Sequence, residues 1–192
     1  MATKPLTQLT EQDYLDLDRA AEYRSEFVNG EMFAMSGGSP RHARLGTKVS
    51  FQFELQLQGK SCRSYSSELR IGTGPTKNYL YPDVSVVCGP LLTQEGSNDI
   101  CTNPALIVEV LSPSTAAYDR GLKFQLYRQI PSLNDYLLVH CDDIFIEHYA
   151  RQPNEGWLLR EYRGTDARIP LGNLGCELQL GSVYEGVMEE PG

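Results

Sequence analysis

The segment Ala105-Leu-Ile-Val-Glu-Val-Leu111 constrains this chain more than any other. A nearly continuous apolar run of that length reads as a β-strand covered on both faces. Near its end stands Glu109. An ionised carboxylate buried there costs several kcal/mol unless something compensates it. Strand alternation puts Glu109 on the face of Ile107 and Leu111, opposite Val108 and Val110. A buried ion pair or an edge position would answer the cost. So would a catalytic or metal-binding role.

A second carboxylate matches it. Asp83 follows Pro82 inside Tyr79–Cys88 (YLYPDVSVVC), which reads as another strand, and lies 26 residues before Glu109. That separation lets the two strands pair as neighbours across a polar loop from Gly89 to Asn103. Two carboxylates side by side repel, and both have raised pKa values unless a cation lies between them. Mg2+ (or Mn2+) suits the position, because it takes one or two carboxylates and fills its other sites with water and phosphate.

The remaining pattern builds a sheet around these strands. Residues 7–20 predict a short acidic helix with Thr10 as a candidate N-cap. Asn29-Gly30 predicts a β-hairpin within YRSEFVNGEMFAMSGG. A helix is expected from about His42 to Gln58, with Leu45, Val49, Phe53 and Leu57 forming one buried stripe. Cys62 to Ile71 reads as β-structure, and Gly72-Thr-Gly-Pro75 as a turn. Ser112-Pro-Ser-Thr115 stops the Glu109 strand, and a helix from about Ala117 to Ile130 follows. Strands are expected at Asp135–His140, Ile144–Ala150 and Trp157–Tyr162. The expected fold is mixed α/β with a central mixed sheet flanked by helices. It forms a single domain over 1–192: a helix and hairpin over 1–40, a core over 41–150, and C-terminal strands and tail over 151–192.

Charge is unevenly spread. Residues 1–40 carry three basic and seven acidic side chains, residues 41–128 ten and seven, and residues 129–192 four and eleven. The net charge of −8 therefore lies in the flanks, and the middle is mildly basic. No run could span a bilayer and the N-terminus lacks a signal-peptide core, so a cytoplasmic protein is expected and no membrane partner. The five cysteines include no C-x-x-C pair, which argues for reduced thiols over a zinc knuckle or a disulfide framework.

Lys123 completes a candidate site. It lies one residue beyond Leu122, about 100° around from the buried stripe Leu122, Leu126 and Ile130. From there its ammonium could reach the strands, unless it simply pairs with Asp119 one turn earlier.

The set Pro82-Asp83, Leu106-Ile-Val-Glu109-Val-Leu-Ser-Pro-Ser-Thr115, Asp119, Lys123, Tyr127 and Asn134-Asp135-Tyr136 resembles the Uma-type restriction endonuclease family. So do Glu26-Phe-Val-Asn-Gly-Glu31 and Ser39-Pro-Arg-His42, and the likeness spans residues 20–165. It implies a restriction-endonuclease-like core of the PD-(D/E)XK superfamily, with Asp83 and Glu109 holding metal and a lysine assisting water. The lysine expected two residues beyond Glu109 is Leu111, and the resemblance implies that its role has moved to Lys123.

The implied activity is Mg2+-dependent hydrolysis of phosphodiesters in nucleic acid, above all DNA. The alternative is a catalytically impaired DNA- or partner-binding module, and a carboxylate-pair glycosidase ranks last. Glu68 is a candidate further metal ligand, with Glu31 weaker. His42, Arg41, Arg44 and Lys48, along the first long helix, are candidate phosphate contacts. A homodimer would supply two sites for two strands, although no residue demonstrates one.

Overall fold

The computed structural model describes residues 9–35, 37–74 and 77–191. Thr7, at the expected start of the first helix, and Pro75, in the expected turn, lie outside them. Helix α1 (Glu11–Ala20) begins at a reciprocal cap, where Thr10 and Asp13 each bond the other's backbone N–H. Strands β1 (Ser25–Val28) and β2 (Glu31–Ala34) form the hairpin. Asn29 and Gly30 both take positive φ, 52° and 83°, as a two-residue turn that matches strand twist requires. Helix α2 (Pro40–Leu57) has Ser39 as N-cap and Pro40 at its start. The four residues of the predicted stripe are its buried ones.

Next come β3 (Cys62–Ser66), β4 (Arg70–Gly72), β5 (Tyr79–Leu80), β6 (Val84–Cys88), β7 (Ile100–Cys101) and β8 (Pro104–Leu111). A helical segment follows in three parts: α3 (Ala116–Tyr118), a π-helical turn (Asp119–Lys123) and α4 (Phe124–Tyr127). Then come β9 (Asp135–His140), β10 (Phe145–Arg151), β11 (Trp157–Arg163), β12 (Arg168–Leu171), β13 (Cys176–Gln179) and α5 (Leu180–Tyr184).

The large sheet has the order β11-β10-β9-β8-β6-β3. β8 runs parallel to β9 and antiparallel to β6, so the sheet is mixed. α2 and α5 cover one face, where Val84, Val86, Leu106, Val108 and Val110 meet Leu45, Val49, Phe53 and Val183. On the other face Ile107, Leu111, Tyr136 and Leu138 meet Leu126, Tyr127 and Ile130. Every residue of β8 is buried, as its composition predicted. A smaller sheet, β2-β1-β5-β4-β7, incorporates the hairpin.

Five expectations change. Tyr79–Cys88 is two strands in two different sheets, because the chain leaves one ladder and enters the other at Pro82-Asp83. Cys62–Ile71 likewise divides between β3 and β4, and the expected loop Gly89–Asn103 contains the buried strand β7. The helix expected over Ala117–Ile130 is broken by the π turn. Cys62 and Cys88 stand opposite in the β3–β6 register and are disulfide-bonded, their Cα atoms 3.9 Å apart. Cys101, Cys141 and Cys176 are free thiols. Among the described residues no helix is long and apolar enough to cross a membrane.

Candidate active site

Glu109 is 3% exposed and its Oε1 accepts two hydrogen bonds, from Lys123 Nζ at 3.1 Å and from the Tyr127 hydroxyl at 2.9 Å. Both fall on one oxygen, which leaves Oε2 for another ligand. The lysine reaches it through the π turn. In an unbroken α-helix Lys123 would sit at the edge of the buried stripe. The wider turn shifts the helical phase, so that Asp119 and Lys123 both point inward.

The ammonium donates a hydrogen bond to Glu109 and makes ion-pair contacts with two further carboxylates, of which Glu26 Oε1 accepts no hydrogen bond from the described residues. Glu26 Oε1 lies at 3.0 Å, Glu109 Oε1 at 3.1 Å and Asp119 Oδ1 at 3.4 Å. The i,i+4 pair with Asp119 is therefore present alongside the reach to the strands. Glu26 arrives from β1 in the small sheet, and its Oε2 accepts the Tyr118 hydroxyl at 3.2 Å.

Asp83 approaches from the other side of β8. In the β6–β8 ladder Val84 stands opposite Val108, so one residue earlier Asp83 faces Glu109. Where β6 begins, the Val110 N–H donates to Asp83 Oδ2 at 2.7 Å, so the carboxylate fills a ladder position. His42 Nε2, from the first turn of α2, lies 3.5 Å from the same oxygen. Asp83 and His42 are the wetter members, with side chains 19% and 21% exposed.

The electrostatics follow from four acids in a dry place. Burial pushes the Glu109 carboxyl well above its usual range; Lys123 opposes this, while Asp119, Asp83 and Glu26 add to it. Burial also raises Asp83, against the pull of His42 and the Val110 N–H. For Lys123 burial alone would lower the pKa, but Glu109, Glu26 and Asp119 outweigh it and hold the ammonium charged. Four carboxylates thus stand around one ammonium. Among the described residues no three His, Cys, Asp or Glu side chains converge on a point that could hold a metal ion. Asp83 and Glu109 are the two carboxylates that a cation completing its shell with water and phosphate would take, since the hydrogen bonds to each fall on a single oxygen, Asp83 Oδ2 and Glu109 Oε1.

Residues 11–181 of the chain match a family model described as "Putative restriction endonuclease". The chain belongs to the Uma2 family. The chain is also similar to two proteins from Synechocystis, both named as uncharacterized proteins. One is 38% identical over 183 residues, covering 95% of each chain. The other is 36% identical over 161 residues, covering 84% of this chain and 91% of the relative. The fold is similar to that of a crystal structure from Anabaena variabilis described as a putative nuclease belonging to DUF820. Its TM-score is 0.77 and its identity 17%, and the match covers 93% of this chain and 99% of that one. The Uma2 chain therefore has the nuclease-like fold that its sequence resembles.

Of the predicted site residues, the fold brings together Asp83, Glu109, Lys123 and His42. Glu68 does not join them. It lies exposed in the turn between β3 and β4 and pairs with Arg24 at 2.7 Å. Glu31 stays on the hairpin. Arg41 is occupied by the C-terminal segment, donating to the Glu190 carbonyl and to Asp142. Lys48 pairs with Glu185 at 3.1 Å, and Arg44 is exposed on α2.

Sequence reasoning missed Glu26 as a site residue. Its signal was a carboxylate in Ser25-Glu-Phe-Val28, a strand buried at every position. It also missed Gly38, whose ideal Cβ would lie 2.6 Å from His42 Nδ1; only a residue without a side chain lets that ring pack there.

Proposed function

We propose that this Uma2 chain is a Mg2+-dependent endonuclease acting on DNA. One observation supports this above the rest: Asp83, immediately before β6, accepts the Val110 N–H beside Glu109, and a buried, charged Lys123 sits against Glu109. Asp83 and Glu109 would hold the cation. When bound, it would supply Lewis-acid polarisation of the phosphate and a lower pKa for coordinated water.

The protein's own groups account for the rest. Lys123, kept protonated by its carboxylates, offsets negative charge that develops on the phosphate and orients the attacking water. His42 steadies Asp83 through Nε2, 3.5 Å from its Oδ2, at the more exposed side of the site. Arg44 lies exposed on the same helix and would contact the backbone outside the site.

The test is cleavage of plasmid DNA with Mg2+ or Mn2+ by wild type, Asp83→Asn and Glu109→Gln. Loss of at least about a hundredfold in both variants, with unchanged circular dichroism, supports the reading. Equal activity in all three ends it. A catalytically impaired binding module is the second reading, favoured by the engagement of Glu109 Oε1 with Lys123 and by Leu111 two residues beyond. It predicts DNA binding without metal uptake in a calorimetric titration.

A further inference from the structure

Lys123 is held between two sheets, and only one of its three anchors is independent of the rest of the site. Glu109 belongs to the strand that the metal reading claims for the cation. Once a divalent cation sits on that carboxylate, its hold on the ammonium weakens. Asp119 lies four residues earlier in the same π turn and moves with the lysine, so it cannot fix the ammonium relative to the strands. Glu26 is different. It reaches Lys123 at 3.0 Å from β1, a strand of the small sheet.

That strand is firmly seated. Phe27, the next residue, packs in a three-ring cluster with Tyr14 of α1 and Tyr79 of β5, with ring centroids 4.8 and 6.1 Å away. The Tyr118 hydroxyl turns the carboxylate by donating to its other oxygen. Stability alone gives poor grounds for such an arrangement. A buried ion pair rarely outperforms an apolar pair of the same volume, and three acids around one ammonium leave an excess of negative charge.

The geometry points to Glu26 as the positioning residue that aims Lys123 at the reacting phosphate, making the N-terminal hairpin a working part of the active site. This rests on the nuclease reading above. Glu26 acts through the lysine and does not touch substrate. Its loss therefore acts on turnover and leaves metal and DNA binding intact.

The experiment compares wild type, Glu26→Gln, Glu26→Asp, Lys123→Gln and the Glu26→Gln/Lys123→Gln double variant. It reads kcat and KM on plasmid DNA and the Mn2+ dissociation constant by calorimetry. Misplacement of a catalytic group by about 1 Å can cost on the order of a hundredfold. Glu26→Gln should therefore lower kcat by roughly ten- to a hundredfold, with KM and Mn2+ affinity within about twofold of wild type. Glu26→Asp should recover part of the loss, and the double variant should be no slower than Lys123→Gln alone.

Three results would overturn the role: wild-type kcat in Glu26→Gln, losses that multiply in the double variant, or Mn2+ affinity falling in step with kcat. If wild type itself shows no metal-dependent cleavage, the nuclease reading falls and this role falls with it. If wild type cleaves and Glu26→Gln cleaves equally, only the role of Glu26 is refuted. Should Glu26→Gln fold poorly, Glu26→Asp against Lys123→Gln gives the same comparison.

Discussion

Lys123→Met removes a buried positive charge while keeping most of the side-chain volume, so it isolates the electrostatics of the cluster. The ammonium contacts Glu26, Glu109 and Asp119, all of them almost fully buried. Breaking a buried pair by removing one partner costs about 3–5 kcal/mol, because a charge is left uncompensated. For a chain of this length each kcal/mol lowers Tm by about 2–4 °C, so the expected drop is roughly 6–20 °C at alkaline pH.

The cost depends on pH with a definite sign. The Glu109 carboxyl, already raised by burial, can take a proton in place of the lost ammonium, so the deficit should be small near pH 5 and full above the range in which Glu109 ionises. Millimolar Mn2+ should restore part of the loss by binding the native state alone. Adding Glu109→Leu should also restore part, since one stranded charge is then gone. Urea unfolding at pH 5, 7 and 9, with and without Mn2+, reads all of this. A deficit below about 1 kcal/mol at pH 9, or one that does not vary with pH, would refute the claim that Lys123 neutralises the cluster.

Three further outcomes are expected. A folded-state pKa raised above the unfolded value gives a carboxyl stability that is full below the unfolded pKa and lost as pH rises through the folded one. The stability of wild type relative to Glu109→Gln should therefore fall as pH rises above about 4.5, and Mn2+ binding to wild type should tighten over the same range while releasing protons. Gly38→Ala sets a Cβ against the His42 ring and should cost about 1–3 kcal/mol while lowering cleavage through loss of the His42–Asp83 contact; unchanged melting and unchanged activity would contradict this. Reducing the Cys62–Cys88 bond, which closes a loop of sequence separation 26, should cost about 2–4 kcal/mol in denaturant unfolding, and identical curves with and without reductant would show that the bond does not form.

What the sequence revealed divides along a physical line. Local chemistry was legible: Asn29-Gly30 forms the hairpin turn, Ser39-Pro40 opens α2, and a stripe at every fourth residue faces the core. The Glu109 strand was legible because a carboxylate inside an apolar run contradicts its surroundings. Features that depend on distant pairing were not. Nothing local to Cys62 or Cys88 reveals that the β3–β6 register sets them opposite each other. Nothing local to Glu68 reveals that its turn faces solvent and Arg24.

The helix after β8 shows why a site can be harder to read than the fold around it. Counting at 100° per residue places Lys123 beside the apolar stripe, which describes an exposed or borderline lysine. The π turn over Asp119–Lys123 breaks that count, and the structure buries Lys123 at 7% exposure between carboxylates from two sheets. A π turn gives up regular hydrogen bonding and persists where its altered phase is useful, often at a functional site. The irregularity that defeats periodicity is thus the one that aims the ammonium. The same logic covers Pro82-Asp83: the break in the strand frees the Val110 N–H for a side chain, and that side chain is the second carboxylate of the proposed site.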